Sequence, residues 1–345
     1  NKEISPSKDQ GERARNELCD RLSKIYKCES NLIQLHPSGM ASLATALAAI
    51  RRIRPTGKFL QIGFPYVDVL KLPQEIFGGC ELLIDTSNDT LIAELNRKEP
   101  AAIIVELPSN PLLKCIDLPA LSKLAHDRGI PLIADDTIGS ALNIDPIPYA
   151  DIIFSSLTKS FAGRGDILAG SLLISPESAW RKELSEIIHI TSLAPLGDPD
   201  AIALAETSRD ITTRLPQLNE SCLRLKRKLE KHPQITRVLH PEFCSNFNKI
   251  MRPNAGYGCL LSFELKGGLE QAKTFYDSLK VCKGPSLGTN FTLVSPYVLL
   301  AHYNELEWAE ECGVSPSLLR VSVGLEEPSS LWGTFKNALD LLNIN

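Results

Sequence analysis

Between residues 40 and 175, short apolar runs alternate with helix-like segments, and no other property of the chain restricts its fold as strongly. Runs at 58–64, 81–85, 101–107, 131–135, 151–156 and 170–175 have the length of buried strands. Between them, 40–54 is rich in Ala and Leu, and 90–98 and 118–128 carry apolar residues at helical spacing. Gly129 stands where the last of these helices would end. Strands alternating with helices predict an α/β fold built on a mainly parallel sheet.

The order changes downstream. Residues 199–231 read as one or two helices bridging two domains, with Pro216 in a first turn or at a kink. A strand at 257–265, a helix at 269–279, a strand at 318–324 and an amphipathic helix at 329–342 predict a smaller C-terminal α+β domain. The 345 residues suffice for about two domains. The expected division is an N-terminal arm and helix over 1–30, an α/β domain over 31–232 and the α+β domain over 233–345.

Composition removes several classes of function. Apolar residues at 43% and charged residues at 23% suit an ordinary globular protein. With a net charge of −4 and no basic stripe, a nucleic-acid partner is not expected. The apolar runs are too short to span a bilayer, so no membrane partner is expected either. Residues 1–11 are polar and lack a signal-peptide core. The nine cysteines, an odd number without a C-x-x-C pair, read as free thiols in a reducing compartment, which points to the cytoplasm. The histidines form no ligand spacing, so no metal is expected.

Open α/β sheets bind ligands beyond the carboxyl ends of their strands, which directs attention to the residues closing each run. Asp135 closes 131–135; a buried carboxylate needs a partner, although a helix cap or a metal ligand would explain it too. Lys159 follows 151–156 and the hydroxyls of Ser156 and Thr158. A lysine there is solvated by default, but desolvation turns it into a nucleophile toward carbonyls. Ser38, Gly39 and Met40 open a helix whose free N–H groups suit a phosphate, and a simple N-cap explains Ser38 equally. Together they offer a phosphate cradle, an amine for an aldehyde and a carboxylate for a pyridine nitrogen, which are the demands of pyridoxal 5'-phosphate.

Glu106-Leu-Pro-Ser-Asn-Pro-Leu-Leu113, Asp135-Asp-Thr137, Ser156-Leu-Thr-Lys159 and Leu319-Arg-Val-Ser-Val-Gly-Leu-Glu326 occur in that order. The chain thereby resembles the Cys/Met-metabolism (transsulfuration) family of fold-type I pyridoxal-phosphate enzymes. Gly63-Phe-Pro-Tyr-Val-Asp68 and the segment from Lys283 to Tyr297 are most similar to fungal-type cystathionine gamma-synthases. The resemblance implies Lys159 as the Schiff-base lysine and Asp135 as partner of the ring nitrogen. It implies Ser38, Gly39, Met40, Ser156 and Thr158 as phosphate contacts and Tyr66 as the stacking, proton-transferring tyrosine. Asn110, Ser286 and Arg320 would form the substrate carboxylate site, although an arginine such as Arg320 is otherwise exposed or ion-paired. The partners implied are small amino-acid substrates and further copies of the chain, as a homodimer or homotetramer.

The chain also departs from the family. Tyr66 is followed by Val67-Asp68-Val69 where other members carry Y-G-G-T, and Gly163-Arg-Gly-Asp166 stands where many have G-H-S-D. The Tyr and Arg with which family members reach a neighbouring subunit's phosphate precede the helix matched here by Arg15 to Lys27 and are not found in this sequence; either they lie outside it, or they are absent and Arg13 or Arg15 substitutes. The expected reaction is γ-replacement on an O-acylhomoserine by cysteine, giving cystathionine for methionine biosynthesis. Alternatives are a sulfhydrylase, a γ-lyase, a relative using a carbon nucleophile, and a catalytically silent binding subunit.

Overall fold

The computed structural model describes residues 8–192 and 194–342. Its larger sheet contains β1 (Ile33–His36), β2 (Phe59–Ile62), β3 (Cys80–Leu83), β4 (Ile103–Glu106), β5 (Leu132–Asp135), β6 (Ile152–Ser156) and β7 (Gly170–Ile174). Their spatial order is β1-β7-β6-β5-β4-β2-β3. From β3 to β6 every pairing is parallel, and only β7 runs against its neighbours. The inner strands β2, β4 and β5 are buried at every residue, which is why they read as unbroken apolar runs and need helices over the sheet.

The strands are shorter than the runs that announced them because the flanking residues lie outside the paired ladder. Ahead of residue 192, β1, α3 (Val67–Glu75) after α1 (Lys8–Tyr26) and α2 (Gly39–Ile53), and a helix at Arg181–Thr191 went unpredicted; beyond it, so did the strands Ile235–Leu239, Cys282–Lys283 and Leu293–Pro296 and the short helices Ser245–Ile250, Tyr297–Ala301 and Leu306–Glu311. In α3, Pro73 interrupts the helical pattern yet lies inside the helix. β1 joins the sheet only through β7, a partner more than a hundred residues away that local spacing does not reveal.

Residues 199–231 resolve into helices Asp198–Thr207 and Ile211–Leu229. Pro216 lies inside the second helix, beyond its first turn. That helix enters two cores: Ile211, Leu215 and Leu218 join the one around the large sheet. Cys222, Leu225 and Leu229 join the one around the small sheet.

The small sheet comprises β8 (Ile235–Leu239), β9 (Leu260–Leu265), β10 (Cys282–Lys283), β11 (Leu293–Pro296) and β12 (Leu319–Ser322), ordered β10-β11-β12-β9-β8. All its pairings are antiparallel except β10 with β11. Alternation of side chains along each strand gives it two unlike faces. Leu261, Phe263, Val294, Leu319 and Val321 pack on helices Gly268–Ser278 and Pro328–Leu341. Ser262, Ser295, Arg320 and Ser322 take the opposite positions, and Arg320 pairs in register with both Ser262 and Ser295. The architecture is therefore α/β, a large mainly parallel sheet with a second, smaller sheet. No helix among the described residues is long and apolar enough to cross a membrane.

Candidate active site

A cavity of about 220 Å³ opens at the carboxyl ends of β4, β5 and β6, where the start of α2 and the polar side of β12 close around it. Of the residues singled out in the sequence, Ser38, Gly39, Met40, Tyr66, Asn110, Asp135, Ser156, Thr158, Lys159 and Arg320 line it. Ser286 does not, although its neighbours Pro285 and Leu287 do. Its contribution is a backbone carbonyl that accepts from Arg320 Nη2 at 3.1 Å.

The first turn of α2 supplies backbone donors. Ser38 caps the helix, its Oγ accepting from Ala41 N at 3.1 Å, while the N–H groups of Gly39 and Met40 belong to the turn that no helical carbonyl reaches. Gly39 is needed for close approach, since a Cβ there would lie 2.9 Å from Ser156 Cβ. The Thr158 hydroxyl lines the cavity yet already exchanges hydrogen bonds with the backbone of Ala169, accepting from its N–H at 3.1 Å.

Asp135 is buried, and its Oδ1 accepts from Thr137 N at 2.9 Å. Burial raises its carboxyl to about 6, the Thr137 bonds opposing the shift. Lys159 stands on the turn after β6; burial first, and the charge of Arg320 second, push its ammonium below the usual lysine range. A lysine that resists protonation and a carboxyl that resists ionisation share one cavity, a pairing typical of functional sites. The turn after Lys159 is held from behind by buried Arg214, which donates to the carbonyls of Ser160 at 2.8 Å and Phe161 at 3.0 Å. It is also met by Gly288, where any Cβ would lie 2.2 Å from Ser160 N.

Arg320 is buried, which lowers its pKa. It donates through Nη1 to Asn110 Oδ1 at 3.1 Å and through Nη2 to the carbonyls of Pro285 and Ser286. Tyr66 lines the same cavity, its phenol pushed up to about 12 by burial and by a hydrogen bond with Asp68. The departure from Y-G-G-T thus gives Tyr66 an acidic neighbour.

Sequence reasoning overlooked Glu106. Its carboxylate closes β4, paired in register with Asp135, and accepts from the backbone N–H of Tyr66 at 2.8 Å and of Asn110 at 3.0 Å. Burial and the nearby Asp135 charge raise its pKa well above the carboxylate range. The signal was the one that drew attention to Asp135, a carboxylate ending an apolar run. Arg13 and Arg15 do not line the cavity: Arg13 pairs with exposed Asp9, and Arg15 with Asp198 at 2.6 Å.

The profile described as Cys/Met metabolism PLP-dependent enzyme matches residues 10–340. A cystathionine gamma-synthase of Neurospora crassa is 37% identical over 89% of this chain and 51% of its own length. One of Saccharomyces cerevisiae is 35% identical over 89% of this chain and 53% of its own. The chain therefore spans about half the length of these relatives. Among solved structures, a cystathionine gamma synthase of Xanthomonas oryzae pv. oryzae in complex with cystathionine superposes with a TM-score of 0.85 at 23% identity. That superposition covers 100% of this chain and 89% of the other, and carries the likeness of fold.

Proposed function

The chain belongs to the Cys/Met metabolism PLP-dependent enzymes, and from that premise we propose that it replaces the γ-acyloxy group of an O-acylhomoserine with the sulfur of cysteine, yielding cystathionine. The reading rests above all on one observation: a buried lysine, a buried carboxyl, a helix N-terminus and a buried arginine converge on a single cavity. That donor set fits pyridoxal phosphate. Asp135, costly to keep ionised in isolation, suits a cationic ring nitrogen, and the first turn of α2 suits the phosphate.

When bound, pyridoxal phosphate supplies an electron sink for charge developing beside the amino-acid Cα. The chain's own residues do the rest. Lys159 Nζ, whose ammonium form burial and the Arg320 charge disfavour, takes a proton from the substrate and returns it. Arg320 binds the α-carboxylate and fixes the orientation of the Cα–H bond, with Asn110 steadying the guanidinium. Tyr66, which lines the cavity, would pack against the cofactor when it is bound, and its phenol stays protonated at neutral pH. The acyl group departs from Cγ as a carboxylate, the cysteine thiol gives up its proton, and its sulfur bonds to Cγ.

Product analysis tests the reading. Supplied with O-acetyl- or O-succinylhomoserine and cysteine, the enzyme is expected to make cystathionine faster than it makes homocysteine from sulfide. Release of 2-oxobutyrate undiminished by saturating cysteine would instead mark a lyase, and acceptance of sulfide alone a sulfhydrylase.

A further inference from the structure

Two segments singled out in the sequence, Gly63 to Asp68 and Lys283 to Tyr297, gain no joint role from the chemistry above, yet they meet beside Arg320. Tyr297, buried at the start of the short helix Tyr297–Ala301 that follows β11, presents its ring to the guanidinium, whose carbon lies 5.1 Å from the ring centroid. The ring is itself held by an aromatic cluster. His302 lies 6.1 Å from Tyr297, 5.1 Å from Phe64 and 5.5 Å from Trp308, centroid to centroid. Phe64 belongs to the first segment and Tyr297 to the second.

The hydrogen bonds of Arg320 fix one end of its guanidinium to Asn110 and to the 285–286 backbone. They leave the tilt of the plane to whatever packs against its face. A cation over an aromatic face is attracted by the ring quadrupole, and more strongly where water is excluded, as here. Val294 on the preceding strand β11 packs into one core and Val298, next to Tyr297 in its helix, into another, so the chain on both sides of Tyr297 is anchored.

We propose that Tyr297 is a positioning residue for carboxylate recognition: its ring, braced by His302, Phe64 and Trp308, sets the plane in which Arg320 meets the amino-acid substrate. The inference rests on the reading of Arg320 as the carboxylate site. It makes Tyr297 a determinant of donor affinity, separate from cofactor binding.

The test compares Tyr297→Leu, which removes the aromatic face, with Tyr297→Phe, which keeps it. Donor KM and kcat are measured with the cofactor-loaded enzyme, and cofactor Kd by absorbance titration of the cofactor-free protein. Tyr297→Leu is expected to raise donor KM roughly two- to thirty-fold, the span of a cation–π contact, with cofactor Kd unchanged, and Tyr297→Phe to restore KM. Should Tyr297→Leu not fold, Tyr297→Met replaces it with the same expectations. An unchanged KM, a cofactor Kd that rises in step with KM, or a Tyr297→Phe enzyme as impaired as Tyr297→Leu would each overturn the proposal. Arg320→Lys separates the two readings. If it too leaves KM unchanged, the carboxylate site itself is misassigned; if it raises KM while Tyr297→Leu does not, only the role of Tyr297 falls.

Discussion

Asp135→Asn should make the cofactor-free protein more stable while crippling the enzyme. The carboxyl is only 7% exposed, and burial moves it from an ordinary value near 3.8 to about 6. Each pKa unit corresponds to about 1.4 kcal/mol, so keeping Asp135 ionised at neutral pH costs the fold about 3 kcal/mol. A folded-state pKa above the unfolded one means that stability is full below the unfolded value and is lost as pH rises through about 6. Asparagine keeps the shape and an acceptor for Thr137 N but carries no charge, so the mutant should recover most of that cost at pH 7.5. At pH 5, between the two values, the advantage should shrink to about half. Urea unfolding of cofactor-free protein at both pH values measures it, and steady-state assays with added cofactor should show a large fall in kcat. A mutant less stable than its parent at pH 7.5, or an advantage that ignores pH, would refute the view of Asp135 as a strained carboxylate awaiting a cationic partner.

Lys159→Ala should abolish turnover without loss of folding, since it removes a buried amine whose charge the site already disfavours; activity of the purified variant and its circular dichroism check this. Glu106→Gln keeps one acceptor where two backbone N–H groups now bind a carboxyl group. Because burial disfavours charge on Glu106, losing one such bond, worth about 0.5–1.5 kcal/mol, should lower kcat/KM roughly two- to ten-fold through misplacement of Tyr66 and Asn110, and an unchanged kcat/KM would count against that role. Arg320→Lys replaces a planar fork by a point charge. At about 1.5–3 kcal/mol for a bond to a charged group it should weaken use of the amino-acid donor more than cofactor binding, as donor kinetics and absorbance titration will show.

Much of this site was legible because its parts end strands. Asp135 and Lys159 each follow an apolar run long enough to read as buried, and a charge in that position needs a reason. Glu106 ends β4 in the same way, yet nothing in the chain alone tells that its carboxylate faces Asp135 across the sheet. Arg214, which holds the turn after Lys159, and Tyr297, which lies beneath Arg320, act across long sequence separations. Local spacing carries no trace of such contacts. In the fold, β1 and β11 are no shorter than β4 and β5 but each carries polar residues and is not buried throughout, whereas the runs at 101–107 and 131–135 read clearly because both faces of those strands are buried. Ser286 was expected in the carboxylate site, and its bond to Arg320 runs through the backbone carbonyl, a detail residue identity does not encode.

The most direct test of the account is borohydride reduction of the cofactor-loaded protein followed by mass mapping of its peptides. The account predicts that visible absorption is lost and that one pyridoxyl group remains covalently attached, at Lys159. A reduced protein without the attached group, or with it on a different lysine, would contradict the assignment on which everything else depends.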